Sequence, residues 1–259
     1  MSNQDHTLVA GEALFDLWLD ADGEVRGRPG GGPFNTARTL GRLGRRVTYL
    51  GALSSDGFGR RLRTHLAEDG VALDAVVDSS APSTLALADV DERGTARYGF
   101  WRDGTAASGL LPEAALAAIP VGVTTLHIGT LGLVFEPMAA AMEAIAVRLA
   151  PQALIVVDPN VRPAAIDDEQ GYRERLGRVL ALATVVKVSD EDIAWLFPGM
   201  VMEDAARALL RQGPKIVLVT RGADGVTVLT ASAWRRVSAP KVRVADTIGA
   251  GDAFTGGFL

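Results

Sequence analysis

The stretch from residue 153 to residue 188 reads ALIVVDPNVRPAAIDDEQGYRERLGRVLALATVVKV. It opens with an apolar run, Ala153–Val157, and closes with a second, largely apolar run, Val185–Val188. Between these runs, Glu169–Leu182 has the residue spacing of an amphipathic helix. A strand, a helix and a further strand in this order predict two parallel strands joined by a crossover helix.

The same alternation extends on both sides of this stretch. Before it, the strand Thr125–Ile128 precedes a helix over Pro137–Leu149. After it, a helix over Glu203–Arg211 precedes the strand Lys215–Thr220. Apolar strands that alternate with amphipathic helices predict an α/β fold in three layers, with a mostly parallel sheet covered by helices on both faces.

The N-terminal half adds two hairpins to this pattern. Trp18–Asp20 and Glu24–Arg28 flank the turn signal at residues 22–23, and Leu85–Val90 and Thr95–Trp101 flank residues 91–94. Further predicted elements are the strand Thr7–Ala10, a helix that opens at Asn35, the strand Val47–Leu53, a helix through Phe58, Leu62 and Leu66, and a helix near Pro112–Ile119. We therefore predict one α/β domain over residues 1–259, with a small β excursion near its start.

The composition is that of a folded globular chain, and it argues against several classes of function. Of the 259 residues, 48% are apolar and 22% are charged, and the net charge is −5. Because no basic stripe is present, we expect no nucleic-acid partner. The absence of cysteine excludes disulfides and thiolate metal sites, and the three histidines are too few to favour a zinc site.

The sequence carries no targeting or membrane signal that we recognise. The N-terminus lacks the basic start and apolar run of a signal peptide. No apolar stretch reaches the roughly 18 residues that a membrane helix needs. We therefore expect a cytoplasmic protein without a membrane partner.

The strongest sign of chemistry is the motif DTIGAGDAF at Asp246–Phe254. Gly249 and Gly251, on either side of Ala250, allow backbone N–H groups to converge on a ligand, and the residues that follow have the composition of a helix. Converging amides at a helix N-terminus form an anion site suited to phosphate. At such a site Asp252 is suited to remove a proton from the group that attacks the phosphate, and the alternative is a capping aspartate after a glycine turn.

Three further places in the sequence suit polar ligand contacts. GGGPFN at Gly30–Asn35 brings the backbone close to a ligand, and Asn35 offers ligand hydroxyls a donor and an acceptor; a plain turn with a capping Asn35 is the alternative. DPNVR at Asp158–Arg162 directly follows a strand, where open α/β sheets bind ligands, and Arg162 suits an anionic or hydroxylated group; a solvated loop is the alternative. Asp16 is suited to bind a pair of hydroxyls, and the alternative is a surface aspartate.

Several familiar catalytic motifs are absent. None of the lysines follows a glycine, so the sequence contains no G-x-x-x-x-G-K-[ST] phosphate loop, and no G-x-S-x-G elbow occurs. We interpret His127, near a strand end, as a core histidine rather than a catalytic base.

Taken together, the motifs resemble the ribokinase-like sugar kinases, also called the phosphofructokinase-B family. Asp246–Asp252 is similar to the C-terminal signature of that family, and Gly31–Ala37 is similar to its N-terminal signature. Between them, in the order of the family, lie DPNVR at Asp158–Arg162, KVSDE at Lys187–Glu191 and VTRGADG at Val219–Gly225. These motifs, with GEALFD at Gly11–Asp16, most resemble the bacterial fructokinase branch, and the resemblance extends from Leu8 to Leu259.

The resemblance implies a ribokinase-like fold and an ATP- and Mg²⁺-dependent kinase that phosphorylates a sugar hydroxyl. Asp252 would be the general base, and Gly249, Ala250 and Gly251 would form the anion hole for the charge on the transferred phosphoryl group. The residues that would hold the sugar are Asp16, Gly31, Gly32, Asn35, Phe100 and Arg162. The residues that would lie along the nucleotide are Lys187, Thr220, Gly222, Gly225, Asp246 and Thr247.

The resemblance also implies a lid, a metal contact and a longer C-terminal part. The two hairpins, residues 17–28 and 85–101, would form a β lid that excludes water, which in many relatives also makes a homodimer contact. Asp192 occupies the last position of the metal-linked N-x-x-E motif of the family, and it would bind Mg²⁺ through water. Relatives usually continue for several dozen residues beyond the GAGD motif, so we expect that part of the nucleotide site is missing, and that ATP binding is weak.

The sequence leaves the identity of the substrate open. Fructose is the favoured substrate. The nearest alternative is 2-keto-3-deoxygluconate, because kinases for it share the Asp-Pro-Asn-x-Arg run. A nucleoside is less favoured. A different class of function is a non-catalytic sugar-binding or regulatory protein on the same scaffold.

Overall fold

The computed structural model describes residues 5–20, 22–90, 96–244 and 246–259. Its strands are β1 (Thr7–Ala10), β2 (Leu14–Leu19), β3 (Val25–Gly30), β4 (Val47–Leu50), β5 (Ala52–Ser54), β6 (Val77–Ser79), β7 (Leu85–Val90), β8 (Ala96–Trp101), β9 (Thr125–Gly129), β10 (Leu154–Asp158), β11 (Val185–Ser189), β12 (Ile216–Thr220), β13 (Val226–Leu229) and β14 (Trp234–Val237). Its α-helices are α1 (Gly32–Arg42), α2 (Gly57–Glu68), α3 (Pro112–Ala117), α4 (Met138–Leu149), α5 (Glu169–Leu182), α6 (Asp190–Leu196), α7 (Met202–Leu210) and α8 (Ala250–Phe258).

Eight strands form the central sheet, in the order β14-β13-β12-β11-β10-β9-β1-β4. Within this sheet the six strands β12, β11, β10, β9, β1 and β4 are parallel to one another. The strands β13 and β14 extend the sheet at one edge in antiparallel pairs. Parallel strands leave their carboxyl ends at one edge of the sheet, so the loops that follow β1, β9, β10 and β11 gather there. The predicted mostly parallel α/β sheet is confirmed.

Helices cover both faces of the sheet, as the burial of alternate residues in β1 shows. Leu8 belongs to the largest core cluster, which includes Met142 of α4 and Leu176 of α5. Val9, on the opposite face, packs in a cluster with Phe34 of α1 and residues of α2. A third, smaller cluster joins residues of β10, β11 and β12 to residues at and near α8. Leu259, directly after α8, packs against this cluster and against the cluster of Val9, so α8 lies on the same side of the sheet as α1.

The first predicted hairpin has longer strands than expected, and both hairpins belong to one second sheet, in the order β3-β2-β7-β8. In this small sheet β2 pairs with β3 from Leu14 to Leu19, and Asp16 lies opposite Arg28. The strands β2 and β7 are parallel, and β7 and β8 are antiparallel. The predicted turn at residues 91–94 lies outside the described residues.

The start of α1 and the presence of α6 differ from the prediction. α1 begins at Gly32 rather than Asn35, because Pro33 is compatible with the first turn of a helix, where its missing N–H has no intrahelical partner. α6 was not among the predicted elements, and it begins with a capping box between Ser189 and Asp192. In the described part of the chain, no helix is both long and apolar enough to cross a membrane.

Candidate active site

The two signature motifs meet at Asp252, the third residue of α8. The Asn35 side chain, on α1, donates a hydrogen bond from Nδ2 to Asp252 Oδ2 at 2.9 Å, although the two residues are 217 positions apart. A Cβ added to Gly32 would come within 3.5 Å of Asp252 Oδ1 and would collide with Thr130 Oγ1. The start of α1 therefore lies close to the Asp252 carboxylate, and the absence of a side chain at Gly32 is required by Thr130.

The Asp252 side chain is almost fully buried, and burial raises the pKa of its carboxyl group to about 6. The charge on Asp158 raises it further, whereas the Asn35 hydrogen bond and the positive charges of Lys187 and Arg162 lower it. A carboxylate with a pKa slightly below neutral is mostly ionised at neutral pH and still basic enough to accept a proton. These properties fit the general base implied by the family resemblance.

The turn that precedes Asp252 has the backbone expected of an anion site, although two of its amides, those of Ile248 and Ala250, already donate hydrogen bonds within the chain. Gly249 caps α8 in the left-handed conformation, at φ 74°, which glycine adopts without strain. The Ala250 amide donates to Thr247 O at 3.1 Å within the turn, and the Ile248 amide donates to Asp246 Oδ1 at 2.9 Å. The positive end of the α8 dipole adds to the attraction for an anion at this place.

A buried ion pair lies next to this turn. Lys187 Nζ is 3.0 Å from Asp158 Oδ2, and each side chain is only 4% exposed. Burial raises the pKa of Asp158, and the adjacent Lys187 charge opposes that rise. A Cβ added to Gly251 would lie 3.0 Å from Lys187 Nζ, so the ammonium group is in contact with the glycine turn. An anion bound at the turn would therefore lie close to the Lys187 ammonium group.

The predicted sugar residues Asp16 and Arg162 face the same region. Burial raises the pKa of Asp16, and the charges of Arg28 and Arg162 lower it. Arg162 is exposed, and its Nη1 donates to Asn160 O at 3.2 Å and to Val161 O at 3.1 Å. Because Arg162 also lowers the pKa of Asp252, its charge lies within electrostatic reach of both carboxylates.

The other predicted ligand residues occupy four separate places. Gly31 caps α1, and Phe100, on β8, packs edge to face against Phe135, with 5.8 Å between the ring centroids. Asp246 accepts a hydrogen bond from Arg28 Nη1 at 3.2 Å, which joins the small sheet to the Asp246–Thr247 segment before α8. The remaining three, Thr220, Gly222 and Gly225, lie at the connection from β12 to β13.

Asp192 is held as a structural cap. Its Oδ2 accepts the Ser189 amide at 2.8 Å, and its Oδ1 accepts the Val161 amide at 2.7 Å. Asp192 therefore fixes both the start of α6 and the loop after β10. Among the residues that the structure describes, no three His, Asp or Glu side chains are grouped as a metal cluster. Metal binding by Asp192 through water stays a prediction.

Three residues at this end of the sheet were missing from the predicted site. Glu12, just after β1, is fully buried and accepts the Gly32 amide at 3.0 Å and the Gly132 amide at 2.8 Å. Asn160 Nδ2 donates to Thr130 Oγ1 at 3.3 Å, and these two residues adopt positive φ angles of 38° and 52°. Their positions directly after β1, β9 and β10 were the available signal, because ligands bind beyond the carboxyl ends of parallel strands.

A cavity of about 570 Å³ lies apart from these residues. It is lined by Arg102, Phe135, Tyr172 and Arg175 among others, and none of the predicted site residues borders it. Both arginines are already paired, Arg102 with Asp167 and Arg175 with Glu136. The Asp252 carboxylate, the Lys187 ammonium group and the two glycine turns converge outside this cavity.

Comparison with known proteins identifies the family of this chain. A family model described as pfkB family carbohydrate kinase matches residues 4–259. The chain is 35% identical to a fructokinase from Rhizobium leguminosarum bv. trifolii, over 97% of this chain and 78% of that one. It is similar to the structure of a fructokinase from Xylella fastidiosa with bound ATP, with a TM-score of 0.90 and 31% identity over 98% and 80% of the two chains. It is also similar to a fructokinase from Vibrio cholerae with fructose, ADP and a calcium ion bound, with a TM-score of 0.87 and 28% identity over 99% and 83%.

Proposed function

Since the chain belongs to the pfkB family of carbohydrate kinases, we propose that it transfers the γ-phosphoryl group of ATP to a primary hydroxyl of fructose. The protein is a fructokinase-like sugar kinase. The observation that carries the residue assignments is the buried Asp252 carboxylate, oriented by Asn35 and located beside Lys187 and the glycine turn before α8.

In the proposed step, Asp252 accepts the proton of the attacking sugar hydroxyl. The hydroxyl oxygen forms a bond to the γ-phosphorus, and the bond from that phosphorus to the bridging oxygen breaks, so that ADP leaves. The proton ends on the Asp252 carboxylate. The Asn35 hydrogen bond supports this role, because it fixes Oδ2 and leaves Oδ1, on the side of Gly32, to face the hydroxyl.

We assign the charge on the transferred group to Lys187 and the turn Gly249–Gly251. Lys187 contacts that turn, and its ion pair with Asp158 holds it in place. Fixed positive groups in a buried site stabilise the charge that spreads over the phosphoryl oxygens during transfer. Thr220, Gly222, Gly225, Asp246 and Thr247 are proposed to hold the rest of the nucleotide.

We propose that ATP brings a divalent cation with it, and that this cation is Mg²⁺. Mg²⁺ commonly binds through substrate phosphates and water, with one or two carboxylates. Asp192 does not fit a direct ligand, since each of its oxygens accepts a backbone amide.

On the sugar side, we assign Asp16, Gly31, Gly32, Asn35 and Arg162 to the hydroxyl groups and Phe100 to a ring face. The burial of Asp16 and the nearby charge of Arg162 support this assignment. The small sheet of β2, β3, β7 and β8 is proposed to be the lid and to make a homodimer contact, and the enzyme is proposed to act in the cytoplasm. Light scattering of the purified protein would test the dimer, and a monomeric mass would contradict it.

The substitution Asp252→Asn tests the proposed chemistry. We expect kcat for fructose to fall by about 10²–10⁴-fold, the range for loss of a general base, while calorimetry shows nearly unchanged fructose binding. Asp204→Asn, which removes a carboxylate from the exposed side of α7, is the matched control and should leave kcat unchanged. An Asp252→Asn enzyme with a kcat within about threefold of wild type would remove Asp252 from the reaction. Fructose binding without any phosphorylation by the wild type would favour the non-catalytic alternative.

A further inference from the structure

A buried glutamate outside the assigned machinery connects the parts of the sugar site. Glu12 follows β1 and has no exposed surface. Its Oε1 accepts the amide of Gly32, the first residue of α1, and its Oε2 accepts the amide of Gly132, in the turn after β9. One carboxyl group therefore spans two segments that are distant in sequence and adjacent in space.

The first segment borders Asp252, and the second borders the first. Gly32 lies against Asp252 Oδ1 and against Thr130 Oγ1, and Thr130 belongs to the same turn as Gly132. A shift of either segment would change the space between the glycine turn and Asp252, where the proposed reaction places the attacking hydroxyl. Misplacement of reacting groups by about 1 Å can cost on the order of 10²-fold in rate.

A carboxyl group at this place is costly, which calls for a reason beyond packing. Burial raises the pKa of Glu12 to about 8, although the amide hydrogen bonds lower it. The titratable groups that act on it are Asp252, whose charge raises it, and Tyr49, whose own pKa is raised by burial and by Glu12. The two hydrogen bonds from the Gly32 and Gly132 amides offset part of the free-energy cost of burying this carboxyl group.

We propose that Glu12 is a positioning residue for phosphoryl transfer, which fixes the start of α1 against the turn after β9 and so holds Gly32 at the Asp252 carboxylate. This inference rests on the proposed function for its effect on rate. Its geometric part, the hold on Gly32 and Gly132, can be measured independently of any activity.

The test compares Glu12→Gln with Tyr49→Phe. Glutamine keeps the shape but can accept only one of the two amide hydrogens, because its NH₂ group is a donor. Tyr49→Phe is the matched control, since it also removes a fully buried hydrogen bond nearby, from Tyr49 Oη to Gly11 O at 2.7 Å, without touching Gly32 or Gly132. Melting temperatures and circular dichroism establish that each variant is folded at the assay temperature.

We expect Glu12→Gln to lower kcat for fructose by roughly 10–100-fold, with a change in KM for ATP of less than about threefold, because the nucleotide residues are not held by Glu12. Tyr49→Phe should lower kcat by less than about threefold. Hydrogen exchange measured by NMR should be faster at the Gly32 and Gly132 amides in Glu12→Gln alone. Should Glu12→Gln fail to fold, Glu12→Asp replaces it, since its side chain is one methylene shorter. We expect the same fall in kcat and the same faster exchange at the Gly32 and Gly132 amides.

A folded Glu12 variant that keeps kcat, or a Tyr49→Phe enzyme that loses as much, would overturn the positioning role. Unchanged exchange at Gly32 and Gly132 would overturn its geometric basis. A wild-type protein that phosphorylates no sugar would instead contradict the proposed function, and the exchange result would then still decide whether Glu12 holds the two segments.

Discussion

At the scale of single residues, we expect the protonation of Asp252, the proposed general base, to limit activity at acidic pH. The carboxyl group must be ionised to accept a proton, and its pKa is raised to about 6. We expect kcat/KM for fructose to fall as the pH decreases through about 6. In Asn35→Ala the hydrogen bond that favours the ionised form is lost, so this acid limb should move to higher pH.

The measurement is a pH–rate profile of both enzymes. Thr39→Val is the control, because Thr39 donates only to the backbone of Asn35, at 3.0 Å, and its loss should leave the acid limb in place. An Asn35→Ala profile that coincides with that of the wild type would show that Asn35 does not govern the ionisation of Asp252.

Glu12 and Asp252 also make stability depend on pH, in two different ranges. Both pKa values are higher in the folded chain than their ordinary values of 4.5 and 3.8, so the folded state keeps protons that the unfolded state releases. The free energy of unfolding should therefore decrease as the pH rises, up to about 6 for Asp252 and up to about 8 for Glu12.

Urea titrations between pH 5 and pH 8 check this expectation in the wild type and in two variants. Glu12→Gln should flatten the decrease across the whole range, and Asp252→Asn only its acidic part. A decrease of the same size in Glu12→Gln as in the wild type would mean that another group is responsible.

Among single residues, sequence reasoning identified those that belong to motifs and missed one that acts through tertiary contacts. Asn35 and Asp252 were both predicted, and they are directly hydrogen-bonded. Glu12 stood within a quoted motif without a role, because its partners Gly32 and Gly132 are backbone amides, which no sequence pattern marks.

At the scale of elements, the cap of α6 distinguishes a structural role of Asp192 from a metal-binding one. In Asp192→Ala, the buried amides of Ser189 and Val161 lose their acceptors. We expect the free energy of unfolding to fall by about 2–4 kcal/mol. Ser189→Ala removes only the hydroxyl that accepts the Asp192 amide at 3.0 Å, and it should cost about 1 kcal/mol.

The Mg²⁺ concentration that gives half-maximal activity is the second measurement on these variants. We expect it to change by less than about tenfold in Asp192→Ala, which is the smallest loss typical of removing a residue next to a metal. A larger increase, with little loss of stability, would assign Asp192 to the metal.

The prediction of elements failed where two strands or two turns lie close together in sequence. Glu169–Leu182 and Leu85–Val90 have the predicted bounds, because their apolar spacing is uninterrupted. The predicted strand Val47–Leu53 is two strands, β4 in the central sheet and β5 paired with β6, and Gly51 separates them. A continuous apolar run cannot show that its two ends pair with different partners.

At the scale of the whole molecule, the choice of sugar depends on residues from both sheets. Asp16 belongs to the small sheet, whereas Arg162 follows β10 of the central sheet. Because Arg162 is exposed, it could pair with a substrate carboxylate as well as with a hydroxyl. We expect kcat/KM to be higher for fructose than for 2-keto-3-deoxygluconate, and a preference of about tenfold or more for the acid sugar would reverse this assignment.

The order of the strands could not be obtained from the sequence. The alternation of strands and helices predicted a parallel sheet, but not that β1 lies between β4 and β9, nor that β2 and β7 pair in a second sheet. These neighbours are set by packing over long sequence separations, for which local spacing carries no signal.

The contact between α1 and α8 has a consequence for the growing polypeptide. A ribosome that has added residues up to Thr220 has already produced Asp16, Asn35 and Arg162, while the carboxylate that accepts the hydrogen bond of Asn35 has yet to be made. Early segments often begin to fold during translation, at about 5–20 residues per second. A nascent chain can therefore contain most of the proposed sugar-binding residues and still be unable to hydrolyse or transfer phosphate from ATP. The proposed general base, Asp252, is synthesised only after the last strand of the central sheet.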